Sequence, residues 1–351
     1  MSIPTSAKAW RFPRDPKTWN GHKSLALREV KFGPPAKGEV LVKLHAVSLN
    51  FRGQYPGPYN PGPDGEGLIP CSDGAGEVVA VGQGVSQWKI GDRVHSLFFE
   101  TWFTGPITDE HALRTTGGGA PGCLTQYRNF KAETLLPIPA HLSYEEASTI
   151  PCAALTAWQS FFEKKPITAD STVLVLGSGG VSVFGAQLAK AAGAKVIATT
   201  SSKEKAKKYK DLGVDEIINY KEVPEWSTKV KELTGGKGVD QVLEVGGQGT
   251  LVQSLKSVKR EGFVHVIGVV AGGNPGGASL QDVAFTLLFN QATMSGILVG
   301  SNEMAKHLDE FMTAHKIKPV IDRVFGWTEV VEALDYQLSG SHFGKVVVKI
   351  E

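Results

Sequence analysis

A glycine-rich run that follows a short apolar stretch is the segment whose residues most clearly suggest chemistry. Residues 173–176 (VLVL) predict a buried strand, and residues 183–192 predict a helix that stops at Gly193. A strand, glycine turn and helix in this order present backbone N–H groups and the positive end of a helix dipole to a pyrophosphate. A second predicted strand, residues 195–200, strengthens the prediction of a dinucleotide site. The residues expected to contact the pyrophosphate are Gly177, Ser178, Gly179, Gly180 and Val181.

The residues after the second strand indicate which dinucleotide is bound. A carboxylate at this position would accept hydrogen bonds from a free ribose 2′-hydroxyl. This chain instead has Ser201, Ser202, Lys203 and Lys205. Hydroxyl and ammonium groups suit a 2′-phosphate, although the lysines can also be solvated residues of the next helix. We therefore expect Ser201, Ser202 and Lys205 to bind the phosphate of NADP(H).

The composition argues against several classes of protein. With 351 residues, of which 41% are hydrophobic and 21% charged, the chain is long enough for two globular domains. A net charge of +2 without a basic run argues against nucleic-acid binding. No apolar segment of about 18 residues occurs, so no membrane span is expected. Cys71, Cys123 and Cys152 fit reduced thiols in a cytoplasmic protein better than a disulfide framework.

The order of the predicted elements indicates an α/β protein whose first part is rich in strands. Two loops, residues 54–67 and 98–122, interrupt the first part, and whether the second loop is a lid stays open. After a helix predicted over residues 143–162, strands and helices alternate, which indicates a doubly wound parallel sheet. Ligands bind at the carboxyl ends of such strands. Further cofactor contacts are therefore expected at Tyr220, Gly246, Gly268, Val269 and Val299.

Several motifs resemble those of the medium-chain dehydrogenase/reductase superfamily, and the resemblance covers essentially the whole chain. They are residues 50–52 (NFR), 71–76 (CSDGAG), 91–94 (GDRV), 151–158 (PCAALTAW), 245–247 (VGG) and 341–345 (SHFGK), together with Gly82 and Val85. The resemblance implies a GroES-like catalytic domain formed by residues 1–135 and 301–351. A Rossmann nucleotide-binding domain, residues 136–300, would be inserted between them. It also implies cofactor contacts by Thr156 and Phe343, and a homodimer with residues 293–299 as an edge strand.

The chain departs from the zinc-dependent members at the catalytic metal. Their zinc is bound by a cysteine, a histidine and a second cysteine, and Asn50, Ser72 and Cys152 align with these ligands. A carboxamide, a hydroxyl and one thiolate make a poor zinc site. The four clustered cysteines of the structural zinc lobe are also missing. The resemblance is therefore to the zinc-independent branch, which includes quinone oxidoreductases and enoyl reductases, and we predict no metal.

Without a metal, another group must stabilise the negative charge that follows hydride transfer. When hydride is added to a C=C bond conjugated to a carbonyl, the Asn50 amide, a backbone N–H or the cofactor ribose hydroxyl can hold the oxygen of the enolate. Ser72, Tyr55, Tyr59 and water are candidate proton donors, although loop tyrosines also serve as packing residues. Arg52 either anchors a substrate or phosphate or forms a structural ion pair.

These residues predict an NADPH-dependent enzyme that transfers hydride to an activated C=C bond of a small apolar substrate. An NADP-dependent alcohol dehydrogenase or aldehyde reductase is one alternative. A non-catalytic protein that binds NADPH is another. The sequence leaves open the identity of the substrate, the physiological direction and the proton donor.

Overall fold

The computed structural model describes residues 4–51, 59–270 and 279–351. The strands are β1 (Ser6–Arg11), β2 (Ala26–Lys31), β3 (Glu39–Ser48), β4 (Asp73–Val81), β5 (Arg93–Ser96), β6 (Tyr127–Lys131), β7 (Leu135–Pro137), β8 (Thr172–Val175), β9 (Lys195–Thr200), β10 (Glu216–Asn219), β11 (Val239–Glu244), β12 (Val258–Val266), β13 (Thr293–Gly296), β14 (Ile321–Phe325) and β15 (Lys345–Lys349). The α-helices are α1 (Asp109–Leu113), α2 (Tyr144–Ala147), α3 (Leu155–Trp158), α4 (Gly180–Ala191), α5 (Lys203–Asp211), α6 (Trp226–Leu233), α7 (Leu251–Ser257), α8 (Leu280–Asn290), α9 (Asn302–Ala314) and α10 (Val330–Leu338). None of the helices described is long and apolar enough to cross a membrane.

The chain divides into two compact units. One contains Met1–Leu155 and Gly300–Glu351, and the other contains Thr156–Val299. The sequence assigns residues 136–155 to the nucleotide-binding domain, whereas the structure places them in the first unit. The reason is their packing partners: β7 pairs with β5, and α2 packs against β3 and β4.

The first unit is built on a seven-stranded sheet. Its strand order is β14-β15-β3-β4-β5-β7, and β6 also pairs with β3. The apolar side chains of these strands form a continuous core with those of β1 and α10. In the antiparallel pairings of β3, Ser48 lies opposite both Val347 of β15 and Asp73 of β4. The end of β3 and the beginnings of β4 and β15 therefore lie side by side at one edge of the sheet.

The second unit is a parallel sheet with helices packed against it. Its six strands have the order β10-β9-β8-β11-β12-β13, and each neighbouring pair is parallel. The direction of strand succession reverses between β8 and β11, which in such sheets is the position where a ligand binds at the carboxyl ends. The GroES-like and Rossmann architecture predicted from the sequence is confirmed.

The helix predicted over residues 143–162 is interrupted. It forms α2 and α3 with π-helical turns at Ile150–Ala154 and Gln159–Lys164. Pro151 lies in the first of these turns, where it has no N–H to donate to the preceding helical turn. The predicted capping box is confirmed: Ser143 N donates to Glu146 Oε2 at 2.8 Å, and Glu146 N donates to Ser143 Oγ at 3.1 Å.

The region predicted as a loop over residues 98–122 contains the short helix α1. Its aromatic residues Phe98, Phe99 and Trp102 are buried and contact one another edge to face. These three rings pack in the interior of the first unit.

Candidate active site

The glycine turn after β8 has the features of a pyrophosphate cradle. Gly177 has φ +69°, a left-handed conformation that glycine adopts without strain. A Cβ added at Gly177 or Gly179 would meet no other atom within 4 Å, so the backbone borders open space. Helix α4 begins at Gly180 with no side-chain cap and no acidic residue in its first turn. Its first N–H groups are therefore suited to an anion, as the sequence predicts for residues 177–181.

Two buried hydroxyl groups fix the shape of this turn. The Tyr209 hydroxyl of α5 donates to Gly177 O at 2.6 Å, and the Ser182 hydroxyl donates to Leu176 O at 2.6 Å. Thr199 Oγ1 accepts a hydrogen bond from Gly177 N at 3.2 Å. Burial raises the pKa of Tyr209, so its phenol stays protonated and remains a donor. Tyr209 was not predicted from the sequence, because it lies at a helical position typical of a buried core residue and nothing near it in the sequence indicates a hydrogen bond to the glycine turn.

The residues expected to bind the 2′-phosphate lie close together at the end of β9. Ser202 is the N-cap of α5, and its Oγ accepts a hydrogen bond from Lys205 N at 3.2 Å. Asn219 lies opposite Thr200, and Tyr220 N donates to Thr200 O at 3.0 Å, which places Tyr220 beside Ser201. Exposed Glu204 lies in the same turn, where its own backbone N–H and the Ser202 hydroxyl lower its pKa.

Buried Glu244 organises the ends of β11 and β12. Its Oε1 accepts hydrogen bonds from Gly246 N at 2.7 Å and Gly247 N at 2.9 Å. Its backbone oxygen accepts one from Gly268 N at 3.3 Å. Gly246, Gly268 and the exposed Val269 are thereby brought together at the carboxyl edge of the sheet. Glu244 was not singled out in the sequence, because a carboxylate with only structural partners leaves no local pattern.

The remaining candidates of the cofactor set, Thr156, Val299 and Phe343, are buried. Thr156 begins the second unit and is buried, and its carbonyl accepts a hydrogen bond from Ser160 Oγ at 2.9 Å. Val299 ends that unit and is buried with φ +54°, an unusual conformation for a β-branched residue. Phe343 is buried in the first unit, just before β15.

In the first unit, four polar side chains meet at the edge formed by β3, β4 and β15. Lys345 Nζ donates to Asn50 Oδ1 and to Leu49 O, both at 2.6 Å. The Ser72 hydroxyl donates to Asp73 Oδ1 at 2.5 Å. Lys345 and Asp73 are buried, with 4% and 0% of their surface exposed. Two of the four, Asn50 and Ser72, were predicted from the sequence.

The charges of this cluster stabilise one another against burial. Burial is the largest influence on both ionisable groups: it lowers the pKa of Lys345 and raises the pKa of Asp73. Each charge opposes the shift of the other, and the Ser72 hydroxyl and the Asn50 amide also act to lower the Asp73 pKa. The Asn50 amide nitrogen is near enough for this effect, but it is buried and makes no hydrogen bond of ordinary geometry with the described residues.

The other predicted catalytic residues do not join this cluster in the part of the chain that is described. The Tyr59 hydroxyl donates to Arg14 O, and its ring packs edge to face on Trp19. These contacts favour the packing role that the sequence left open for Tyr59. Arg52 and Tyr55 lie outside the described residues.

Comparisons with known proteins agree with both units. The profile of the alcohol dehydrogenase GroES-like domain matches residues 36–140, and that of the zinc-binding dehydrogenases matches residues 180–314. A zinc-type alcohol dehydrogenase-like protein of Schizosaccharomyces pombe is 41% identical over 90% of this chain and 91% of its own length. The 2-methylene-furan-3-one reductase of Solanum lycopersicum is 30% identical, covering 99% of this chain and 80% of its own. A putative alcohol dehydrogenase from Sinorhizobium meliloti has a crystal structure with a TM-score of 0.88 and 36% identity, covering 99% of this chain and 100% of its own.

The chain belongs to the medium-chain dehydrogenase/reductase superfamily. Members of this superfamily are oxidoreductases that bind a nicotinamide cofactor. The glycine turn, the uncapped start of α4 and the residues at the carboxyl edge of the sheet fit such a cofactor. They would hold its pyrophosphate and its adenosine end.

The residues at the expected metal position do not fit the zinc of the zinc-binding dehydrogenases. Asn50 Oδ1 already accepts a hydrogen bond from an ammonium group, and the charge of that ammonium repels a second cation. The Ser72 hydroxyl is turned towards Asp73. Neutral oxygen donors such as these are weak ligands for zinc compared with thiolate and imidazole. Within residues 4–51, 59–270 and 279–351, no three histidine, cysteine, aspartate or glutamate side chains are grouped to hold a metal ion.

Proposed function

We propose that this medium-chain dehydrogenase/reductase is an NADPH-dependent, zinc-independent reductase of C=C bonds conjugated to a carbonyl group. One observation carries the proposal: the Asn50 carboxamide is fixed through its oxygen by Lys345, so its remaining polar groups are the N–H groups of a buried amide nitrogen that lies beside the Asp73 carboxylate. The amide nitrogen carries two N–H groups, so one can donate to a substrate oxygen while the other faces Asp73.

The chemistry requires an oxygen-binding donor and a source of one proton. When bound, NADPH supplies the hydride, which adds to the β-carbon of the substrate. Asn50 Nδ2 donates to the carbonyl oxygen and stabilises the enolate that develops there. The α-carbon then takes a proton. We assign this proton to water, because the Ser72 hydroxyl donates to Asp73 and the Tyr59 hydroxyl donates to Arg14 O.

The same hydrogen bonds favour C=C reduction over direct carbonyl reduction. Reduction of an aldehyde or ketone places the negative charge on an alkoxide, which needs an acid at the oxygen itself. Both described candidates for that acid, Ser72 and Tyr59, donate their protons elsewhere. An enolate is less basic, so a neutral amide suffices to hold it. The tomato relative, named as a reductase of a methylene-furanone, is consistent with this substrate class.

The preference for NADPH rests on the groups that follow β9. Ser201, Ser202 and Lys205 lie in one turn at the N-terminus of α5, whose dipole also favours a phosphate. No carboxylate stands at the end of β9, where it would receive a free ribose hydroxyl.

A substrate panel tests the proposed function. Purified protein is mixed with NADPH or NADH and an enal, an enone, a quinone, a saturated aldehyde or a saturated ketone, and cofactor oxidation is followed at about 340 nm. The proposal expects turnover of the conjugated substrates with NADPH and little with the saturated ones. Faster turnover of the saturated aldehyde would favour the alcohol dehydrogenase alternative. Tight NADPH binding without turnover of any substrate would favour a non-catalytic role.

We also propose that the protein is a cytoplasmic homodimer. Strand β13 lies at the edge of its sheet, and the preceding helix α8 exposes Leu280, Leu288 and Phe289. Such an apolar patch beside an open strand edge is typical of an interface between subunits. The three cysteines, all of which lie in described parts of the chain, form no disulfide, as expected in a reducing compartment. Light scattering should give twice the chain mass, and Leu288→Glu should shift the protein towards the monomer. An unchanged monomeric mass for the native protein would refute the dimer.

A further inference from the structure

A buried ammonium group is unusual, and that of Lys345 is held at a defined place. Lys345 is the first residue of β15 and follows Gly344, which has φ +86° and lies against the carbonyl of Val320. A side chain at Gly344 would collide with that carbonyl, so the entry of the chain into β15 requires glycine. The backbone therefore sets where the Lys345 side chain begins. Its Nζ ends at hydrogen-bond distance, 2.6 Å, from both Leu49 O and Asn50 Oδ1.

The chemistry of lysine determines which way the Asn50 amide is turned. An ammonium group has three donors and no acceptor, so the Asn50 atom that faces it must be the oxygen. This assignment does not depend on distinguishing amide oxygen from nitrogen by shape. The amide N–H groups consequently lie on the other branch of the carboxamide. There Nδ2 is buried beside the Asp73 carboxylate, whose pKa it acts to lower, and its second N–H group is left for another acceptor.

We infer that Lys345 is a positioning residue that fixes the Asn50 carboxamide so that its N–H groups face the substrate oxygen. This inference rests on the proposed function. Without the ammonium, the amide can rotate by half a turn and present Oδ1, which repels an enolate. Lys345 thus acts through Asn50, and it need not contact the substrate. The negative charge of Asp73 opposes the lowering of the Lys345 pKa by burial.

A double-mutant cycle tests this dependence. The four proteins are the native enzyme, Lys345→Met, Asn50→Ala and the double variant, and the measured quantity is the single-turnover rate with a conjugated enone at saturating NADPH. We expect Asn50→Ala to lower the rate about 100-fold, as for the loss of one oxyanion donor. Lys345→Met should lower it about 30-fold in the native background and by less than about twofold in the Asn50→Ala background. The same fold loss in both backgrounds would overturn the inference.

Two further variants separate positioning from charge. Lys345→Gln removes the charge but keeps a donor for Asn50 Oδ1, so it should recover most of the rate that Lys345→Met loses. If instead Lys345→Gln is as slow as Lys345→Met while Lys345→Arg keeps the native rate, the positive charge and not the position of the amide determines the rate, and the inference fails. Lys231→Met is the matched control. Lys231 is half-buried on α6 and donates to the carbonyls of Lys237 and Val258, at 2.9 and 2.8 Å, so its loss should leave the rate unchanged.

Folding and the proposed function are tested separately. If Lys345→Met does not fold because Asp73 loses its counter-ion, the cycle is repeated in an Asp73→Asn background, which removes both charges. The expected pattern there is the same, and additive losses again overturn the inference. A native rate for Asn50→Ala would refute both the proposed role of Asn50 and the inference. A slow Asn50→Ala variant with an additive cycle would refute the inference alone.

Discussion

The proposed preference for NADPH predicts the result of exchanging two groups in the turn after β9. In the double variant, Ser202→Asp and Lys205→Ala, a carboxylate replaces a hydroxyl, and an ammonium is lost. The fold should tolerate the change, because aspartate caps helices as well as serine does and can still accept the hydrogen bond from the backbone N–H of residue 205. The effect on cofactor binding can therefore be separated from an effect on stability.

The size of the effect follows from the two hydrogen bonds to the 2′-phosphate that the double variant removes. A hydrogen bond to a charged group contributes about 1.5 kcal/mol at the low end of its range, which is appropriate because Ser202 and Lys205 are partly exposed. Removal of both hydrogen bonds weakens NADPH binding by about 3 kcal/mol, or about 100-fold in Kd. The new carboxylate also accepts hydrogen bonds from the free ribose hydroxyls of NADH. These hydrogen bonds strengthen NADH binding by about 1 kcal/mol, which lowers the Kd of NADH about fivefold.

Cofactor titration by fluorescence provides the assay. The Kd values of NADPH and NADH are measured for the native protein, the double variant and Lys203→Ala, a control that removes an exposed lysine from the same helical turn. The ratio of the two Kd values should change by about 10² to 10³ in the double variant and by less than about twofold in the control. An unchanged ratio in the double variant, with an unchanged melting temperature, would refute the placement of the 2′-phosphate.

Three other predictions concern single side chains. Ser72→Ala should keep the turnover rate within about threefold of native, whereas Asn50→Ala should lose about 100-fold without weaker NADPH binding, because only Asn50 is assigned to the substrate oxygen; equal losses in steady-state kinetics would contradict this assignment. Tyr209→Phe removes the hydrogen bond to Gly177 O and should raise the Kd values of NADPH and NADH by the same factor. A titration in which the Kd of only one cofactor rises would contradict a purely supporting role for Tyr209. Burial lowers the pKa of His265 to about 3, so the unfolded chain binds the extra proton between that pH and about 6.5 and stability falls as the pH falls through this range. Replacing His265 by Gln should therefore reduce the loss of unfolding free energy between pH 7 and pH 5 by about 2 kcal/mol in urea titrations, and an unchanged pH dependence would contradict the shift.

Local patterns in the sequence were sufficient to predict the nucleotide-binding unit. The strand before Gly177, the glycine turn and α4 are consecutive in the chain, so one stretch of sequence contains the whole signal. The parallel sheet followed from the alternation of strands and helices, and its register places Tyr220 beside Ser201. Helix α8 was missed because its apolar residues are not confined to one buried face, so the helical period is weak.

Only half of the polar cluster formed by Asn50, Ser72, Asp73 and Lys345 was predicted, for reasons of long-range packing. Asn50 and Ser72 stand in motifs that resemble those of the superfamily, but the contact between Lys345 and Asn50 joins residues 295 positions apart. The contact exists only because β15 pairs with β3, and the register of that pairing cannot be inferred from the sequence of either strand alone. The hydrogen bond of Tyr59 could not be predicted for a similar reason, since its acceptor, Arg14 O, comes from a distant part of the chain.

The central claim is that hydride transfer here depends on the Asn50 amide and on no metal ion. The most direct measurement combines metal analysis with activity on one sample, grown with added zinc, dialysed against a chelator and then assayed with NADPH and a conjugated enone. We predict less than about 0.1 zinc per chain and full activity after chelation, because the Asn50 oxygen already accepts a hydrogen bond from the Lys345 ammonium group and the other aligned oxygen donor is a weak zinc ligand. One zinc per chain, with activity lost on chelation and restored by zinc, would contradict the account.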